Sequence, residues 1–230
     1  MRHNPEPLRG CTRMSKPVSI SLADLRAEYT QAGLDARDLD PNPFRQFQKW
    51  FEQTLKSGIR EPNAMVLATA SAAGQPSIRI VLLKGIDERG FTFFTNYRSR
   101  KGIELESNTH AALNFPWIEL ERQVNIIGTV TRVSPEESLA YFKSRPRGNR
   151  LGAWASQQSE VIAGRSVLEK RMQELESKYG ADIPLPPDWG GYRLRPSEIE
   201  FWQGRPNRLH DRFRYSLQPG QSWRIDRLAP

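Results

Sequence analysis

Cysteine is nearly absent from this chain of 230 residues. The single Cys11 excludes an intrachain disulfide and fits a reducing, cytoplasmic setting. Histidine is almost as scarce: His3, His110 and His210 stand at no ligand-like spacing, so no metal site is expected. No apolar run approaches the roughly 20 residues that a membrane span requires. Also missing are a Gly-rich dinucleotide fingerprint, a P-loop, a nucleophile elbow and any internal repeat.

What is present is ordinary globular composition, 37% hydrophobic and 26% charged, in a chain long enough to bury a real core. The net charge of +8 and pI near 9.9 attract anions, which leaves nucleic acid, an acidic membrane surface and phosphorylated small molecules open. Residues 1–20 carry Arg2, Arg9, Arg13 and Lys16 against Glu6 and read as a disordered basic tail, without the apolar core of a secretory signal or the amphipathic period of a transit peptide. Met14, ahead of better-patterned sequence, is an alternative start. Residues 21–230 read as one domain.

Within that domain the spacing predicts a helix from Leu22 to near Gly33, capped by Ser21 with Asp24 three residues on, then the linker DARDLDPNP. Asn42 and Pro43 open a second helix whose apolar face is Phe44, Phe47, Trp50, Phe51 and Leu55. From Ala64 the period changes, and AMVLATAS, PSIRIVLLKG and FTFFTN read as a three-strand antiparallel meander with turns at AAGQ and DERG. A short helix over RSRKGIELES precedes strands HAALNFPW and QVNIIGTVTRV. Ser134, Pro135 and Glu137 form a capping box opening a helix through Tyr141 and Phe142. A charged helix over 161–179 and the loop ADIPLPPDWGG lead to three last strands, YRLRPSEIEFWQG, RLHDRFRYSL and SWRIDRLAP. Strands from both halves with helices around them give an α+β domain on an antiparallel barrel.

Four clusters carry candidate chemistry. In an extended RLHDR, Arg208, His210 and Arg212 share one face at intervals of ~7 Å, opposite Leu209, Asp211 and Phe213. Such a row suits an anionic planar ligand, yet on spacing alone a solvated face with a structural histidine is the stronger reading. Arg79 and Lys84 interrupt an apolar strand, which points to a bound anion or, equally, to an intramolecular salt bridge. Their odd separation places one of them at the strand end near Gly85, or requires a bulge. TNYRSRKG sets Thr95, Ser99, Arg100 and Lys101 at a helix mouth, where basic residues are unfavourable unless an anion is bound; this favours a phosphate site. YFKSRPRGNR puts Tyr141 and Arg145 on one helical face before a proline, which a basic surface helix end also explains.

Taken together, RIVLLKG, FFTNYRSRKG, ERQVNIIG, YFKSRPRGNRLGAW, SQQS, WGGYRL, EFWQGRPNRLHDR and the terminal RLAP resemble, in order, the pattern of the pyridoxamine 5'-phosphate oxidase family. The likeness runs from about Leu25 to Pro230. It implies an antiparallel split β-barrel with peripheral helices, a homodimer, and an FMN in each of two interface clefts. The resemblance assigns Arg79, Lys84, Phe94, Thr95, Arg100, Lys101, Gln123, Gln158, Ser159, Trp202 and Arg212 to FMN. It assigns Lys84, Tyr141, Arg145 and Asn149 to the substrate and its phosphate, and Arg208 and His210 to the reacting ring as catalytic residues. Arg26 through Tyr29 resembles a segment that folds over bound substrate. Two positions depart from the family pattern: Asn149 stands where a serine is common, and Glu61 where an aspartate often precedes the first strand. Asn149 can still donate a hydrogen bond.

The implied activity is oxidation of pyridoxine or pyridoxamine 5'-phosphate to pyridoxal 5'-phosphate, hydride passing from C4' to FMN and O2 restoring the flavin with release of peroxide. Rival readings are another FMN split-barrel protein such as a flavin reductase, which would not need the RLHDR row and the SRPR clamp together, and a non-catalytic carrier of pyridoxal 5'-phosphate or FMN. Nucleic-acid binding rests on charge alone, and the basic residues are dispersed.

Overall fold

The computed structural model describes residues 29, 30 and 33–230. The basic tail over residues 1–20, the Ser21 cap and Arg26 lie outside the described residues. Of the helix expected from Leu22 to near Gly33, Tyr29 and Thr30 are described, and neither is helical. The Thr30 N–H donates to the Glu121 carboxylate, 3.0 Å from either oxygen.

The first long helix, α1 (Pro43–Lys56), forms as its sequence dictates. The Asn42 side chain accepts from the amides of Phe44 and Arg45, and Pro43 fills a position whose N–H has no intrahelical partner. Phe47, Trp50 and Thr54 are buried, with Phe44 and Phe51 packed at the margin. Leu55, expected on this face, is 56% exposed. Its neighbour Thr54 takes the buried place, because its hydroxyl donates to the Trp50 carbonyl (2.9 Å) and so loses no hydrogen bond inside.

Nine antiparallel strands follow: β1 (Ala64–Ala70), β2 (Pro76–Leu82), β3 (Gly85–Asp87), β4 (Gly90–Asn96), β5 (His110–Trp117), β6 (Arg122–Arg132), β7 (Trp189–Gln203), β8 (Asp211–Leu217) and β9 (Trp223–Leu228). The order is β2-β1-β5-β6-β7-β4-β3, with β8 pairing β7 and β9. The three-strand meander is therefore corrected. Hairpins β1/β2 and β3/β4 form, but β2 and β4 do not pair and belong to opposite ends of the order. The physical reason is burial. Strand β4 hides Phe91, Phe93 and Thr95 on one face and Thr92 on the other, so it belongs inside the sheet against β7, whereas β2 leaves Ile78 and Ile80 exposed.

The crossing takes place over two residues. The Leu83 N–H donates to the Asn63 carbonyl beside β1 (2.9 Å), and the Lys84 N–H to the Thr92 carbonyl of β4 (2.8 Å). Because the edges joined by this short crossing are the two ends of the sheet, the sheet curls until they adjoin without pairing, as an open, split barrel. Strand β7 is shared: its first half pairs β4, its second half pairs β8, and a bulge opposite Ile127/Gly128 marks the change near Pro196, which has no N–H for the ladder.

Helices α2 (Arg100–Ser107), α3 (Pro135–Ser144), α4 (Arg147–Ala155) and α5 (Arg165–Lys178) surround the sheet. The sequence reading did not anticipate α4, and α5 starts at Arg165, after Gly164, rather than at Val161. Ser134 caps α3 by accepting from the Glu137 amide (3.1 Å), but the expected return contact is absent, since the Glu137 carboxylate accepts from Arg193 instead (2.7 Å). The main core sits between α1 and the sheet, with the Phe47 ring against Phe91, Phe115 and Trp117. A second cluster of Phe142, Leu151, Ile183 and Trp189 packs α3, α4 and the 181–188 loop. Gly191 permits this close approach, because a Cβ there would lie 2.6 Å from Val133 and 2.7 Å from the Phe94 ring.

Phe47→Ala is expected to lower stability by about 3–5 kcal/mol, the cost of emptying a fully buried aromatic site. Leu55→Ala should stay within about 0.5 kcal/mol of the parent. Denaturant titration of both variants checks the assignment of the α1 face.

Candidate functional site

The barrel's split leaves a cleft of about 670 Å³ between β2 and β4, closed by α3, α4 and the segment after α4. Nine of the residues singled out in the sequence line it: Arg79, Lys84, Phe94, Thr95, Lys101, Tyr141, Arg145, Asn149 and Gln158. Arg79 and Lys84 meet there because β2 ends at Leu82, so Lys84 lies in the crossing and is freed from strand alternation. The strand-end alternative is the one realised. The salt-bridge alternative for Arg79 is realised too, since its guanidinium stands 3.3 Å from Glu104.

One end of the cleft is the mouth of α2. Ser99 caps the helix, and its first turn holds Arg100 and Lys101 with no acidic residue. Lys101 is buried, and its ammonium donates to Thr95 Oγ1 (3.2 Å), Ser99 Oγ (3.2 Å) and Gln158 Oε1 (3.1 Å), all neutral oxygens. Burial, reinforced by the charge of Arg79 and opposed by Glu104, pushes Lys101 down to about 8. Burial also lowers Arg79 from its ordinary value, against the pull of Glu104. Ser159, in a left-handed conformation, accepts from the Arg100 amide (3.2 Å) and so folds the segment after α4 onto the helix mouth. The desolvated Lys101 ammonium and the Arg79 guanidinium, brought to one end of the cleft, make an anion site suited to a phosphate.

The other end lies at the α3–α4 junction. Phe94, Tyr141 and Trp189 form a stacked set, with Phe94–Tyr141 ring centroids 4.0 Å apart and Phe94–Trp189 centroids 5.6 Å apart. Arg145 lays its guanidinium 4.7 Å over the Trp189 ring. It is not on one helical face with Tyr141, as the spacing suggested. Arg145 is the C-cap of α3 with extended backbone, the conformation favoured before Pro146, and the cap turns it into the cleft. Its Nη1 is buried without a hydrogen-bond partner among the described residues, and burial lowers its pKa from the usual guanidinium range. A buried, unpartnered guanidinium nitrogen in a cleft is a donor built for an anionic ligand. Asn149 lines the same end.

The remaining expected residues form a second group. Trp202 and His210 have ring centroids 4.6 Å apart, and Tyr29 meets both edge-on at 5.7 and 5.3 Å. Gly204 makes room for Tyr29, since a Cβ there would lie 2.6 Å from its ring. Gln123 pairs Trp202 across β6 and β7, and Arg212 pairs it across β7 and β8. Arg212 holds Glu200 bidentately (2.8 and 3.0 Å), and this pair raises it above its ordinary value.

The extended Arg208–His210–Arg212 row is corrected. Asn207 and Arg208 adopt left-handed backbone in a turn, β8 begins only at Asp211, and His210 is held by the Arg205 amide donating to its Nδ1 (3.1 Å). The opposite face is also uneven, for Phe213 is buried and Leu209 is 70% exposed. An acceptor Nδ1 leaves Nε2 as the protonated nitrogen of the neutral ring. Burial and the nearby Arg208 charge lower the His210 pKa, with Asp211 opposing.

This second group does not line the cleft. Trp202 lies thirteen positions beyond Trp189 on the same strand, an extended span of about 40 Å at ~3.3 Å per residue. The sequence analysis did not single out Glu104, which contacts the cleft residue Arg79, or Trp189, which lines the cleft. Glu104 was legible only as the i+4 partner of Arg100, and Trp189, although inside WGGYRL, gave no sign of its stacking role.

Comparison with known proteins identifies the family. A family profile described as Pyridoxamine 5'-phosphate oxidase matches residues 51–179, and one described as Pyridoxine 5'-phosphate oxidase C-terminal dimerisation region matches residues 189–230. The chain is 61% identical to a pyridoxine/pyridoxamine 5'-phosphate oxidase of Paraburkholderia phymatum over 91% of its length and 99% of the relative's. It is 58% identical to the Cyanothece protein of the same name, over 93% and 100%. Among solved structures it is similar to PhzG from Burkholderia lata in complex with tetrahydrophenazine-1-carboxylic acid, at 32% identity and TM-score 0.83, covering 89% of this chain and all of that one. An FMN-binding protein of Nostoc punctiforme shares the fold at TM-score 0.67 and 19% identity, covering 84% and 100%. With profiles spanning both halves of the chain and relatives this similar over nearly full length, the chain belongs to the pyridoxamine 5'-phosphate oxidase family.

Proposed function

We propose that the chain is an FMN-dependent oxidase converting pyridoxine 5'-phosphate and pyridoxamine 5'-phosphate to pyridoxal 5'-phosphate, with O2 as acceptor, H2O2 as product and NH3 released from the amine, in vitamin B6 biosynthesis and salvage. The observation that carries this reading is a single cleft with two cationic ends, Arg79 with Lys101 and Arg145 with Asn149, on either side of stacked aromatic rings. Two phosphate monoesters, one on the cofactor and one on the substrate, are what such a cleft fits.

FMN, when bound, supplies the hydride acceptor and the route of electrons to O2. The Lys101 ammonium and the Arg79 guanidinium would hold its phosphate, with Thr95, Arg100, Gln158 and Ser159 alongside. Tyr141, Arg145 and Asn149 would grip the substrate phosphate, and Lys84, which lines the same cleft, would serve both ligands. Gln123, Trp202, Arg208, His210 and Arg212 complete the site only if a second copy brings the far end of β7 to the cleft. A homodimer is supported by that separation and by the match to a dimerisation region. In it, Trp202 and Arg212 would border the flavin, Arg208 would stabilise charge at the reacting carbon, and His210 would orient the ring substituents, with Tyr29 and the preceding segment covering them. A cytoplasmic location fits the single cysteine, and no helix among the described residues is long and apolar enough to cross a membrane.

The purified protein is expected to be yellow, to bleach anaerobically with pyridoxamine 5'-phosphate and to recolour in air with release of peroxide. A colourless protein that FMN cannot reconstitute overturns the reading. Binding of tetrahydrophenazine-1-carboxylic acid but not of the B6 phosphates would place the ligand preference nearer that of PhzG.

Arg145→Ala should raise KM with little change in kcat, because the substrate phosphate is gripped equally in ground and transition states. Arg208→Ala should lower kcat/KM at least about tenfold, the worth of a charge-assisted hydrogen bond. Steady-state kinetics separate the two effects, and wild-type turnover in the second variant removes Arg208 from the chemistry.

Because the His210 pKa is depressed, the ring is neutral at pH 7 and gains its proton only below its ordinary value of 6.5. The acidic limb of kcat/KM set by this residue should fall below about pH 6.5 and vanish in His210→Asn. A limb above that pH that the same substitution removes would contradict the assignment.

A further inference from the structure

One acidic side chain stands against Arg79 at the cationic end of the cleft. Glu104 is 6% exposed, and its carboxylate gathers donors from three elements: Thr69 of β1 (2.5 Å), Ser77 (2.6 Å) and Arg79 (3.3 Å) of β2, and Arg100 of α2 (2.9 Å). A negative charge beside an anion site opposes the anion, so its presence there has to act through the neighbouring cations. Burial alone would raise its carboxyl pKa, yet the hydrogen bonds from Ser77, Thr69 and Arg100 and the Arg79 charge hold it at about 2, so it is a permanent charge.

Arg79 is the side chain it shapes most. The guanidinium donates through Nη1 to Thr69 Oγ1 (2.5 Å) and to the Leu67 carbonyl (3.2 Å), and through Nη2 to Ser77 and Glu104, so both arms of the fork are fixed. Thr69 and Ser77, which donate to Glu104, are the same hydroxyls that accept from Arg79. Arg100 is drawn back along its own helix by the other carboxylate oxygen. Lys101 has only neutral partners, Thr95 on β4, Ser99 at the cap and Gln158 from the segment after α4. Of the charges acting on it, Arg79 disfavours the ammonium and Glu104 favours it. Three cations and one anion leave this end of the cleft with two net positive charges, the complement of a phosphate monoester carrying about −1.5 to −2 at pH 7.

We propose that Glu104 is a positioning residue for the cofactor phosphate, locking the Arg79 and Arg100 side chains in place. The proposal rests on the FMN reading above. It predicts a defect specific to the phosphate, which a merely structural carboxylate tying α2 to the sheet would not produce.

The probes are FMN and riboflavin, which differ by that phosphate, titrated by fluorescence quenching into the full-length protein stripped of flavin, as wild type and Glu104→Gln, from about pH 6.5 to 9. Glutamine keeps the shape and one acceptor oxygen but not the charge. At pH 8 the FMN affinity of the variant should fall about tenfold, the worth of a charged hydrogen bond, while its riboflavin affinity changes less than about twofold. FMN affinity should decline on the alkaline side as Lys101 loses its proton, and this decline should move to lower pH in the variant. An equal loss for both flavins, or an unchanged FMN affinity and pH profile, overturns the proposal. Wild-type protein that binds FMN no more tightly than riboflavin would instead remove the phosphate reading beneath it, and the proposal with it. Should Glu104→Gln not fold, Ser77→Ala, which removes a partner of both Glu104 and Arg79, is expected to give the same phosphate-selective loss at smaller size. A loss shared by riboflavin in that variant overturns the idea equally.

Discussion

Two consecutive amides, those of Leu83 and Lys84, hydrogen-bond to opposite ends of one sheet, and the remaining architecture follows from that constraint. A chain that steps from one end to the other within two residues forces the sheet to curl. The ends then adjoin but do not pair, because β4 is already committed to β7 and β3. The gap between them is the cleft. Arg79 looks into it from β2, Lys84 from the crossing, and Phe94 and Thr95 from the free part of β4. The site is thus a consequence of incomplete closure, a place where strand edges that would otherwise satisfy one another are turned to binding.

The charges in the cleft explain why so much secondary packing surrounds it. A buried ammonium without a carboxylate contact and a buried guanidinium nitrogen without a partner are both costly in isolation. They persist because α2, α3 and the segment after α4 are pinned by independent means: the Ser99 and Ser134 caps, the second apolar cluster around Phe142 and Trp189, and the Glu104 carboxylate. Stability drawn from those contacts offsets the unfavourable placement of the cations, the usual relation between a scaffold and a binding site.

Much of this was legible in the sequence where the signal is local. Asn42-Pro43 announced α1 because capping and proline geometry act within one turn. Arg100 and Lys101 marked the mouth of α2 because basic residues at a helix start are a local conflict. The misreadings came where a distant group decided the outcome. Thr54 replaced Leu55 in the core because its hydroxyl could be satisfied inside. Glu137 left its capping box for Arg193, fifty-six residues away. The RLHDR segment became a turn because Asn207 and Arg208 take left-handed backbone and the Arg205 amide is received by His210, which alternation cannot foresee.

By itself the sequence determined the family, the element types and the residues that carry charge into the site, since motifs, caps and periodicity are written in neighbouring positions. Only the tertiary structure decided which of those residues meet. It gathered Arg79, Lys84, Lys101, Tyr141 and Arg145 in one cleft and placed Trp202 and His210 at the other end of a strand of fifteen residues. The reason is that strand pairing joins segments by hydrogen-bond register and burial on both faces, not by proximity in the chain, and a single strand long enough to serve two partners separates its own ends.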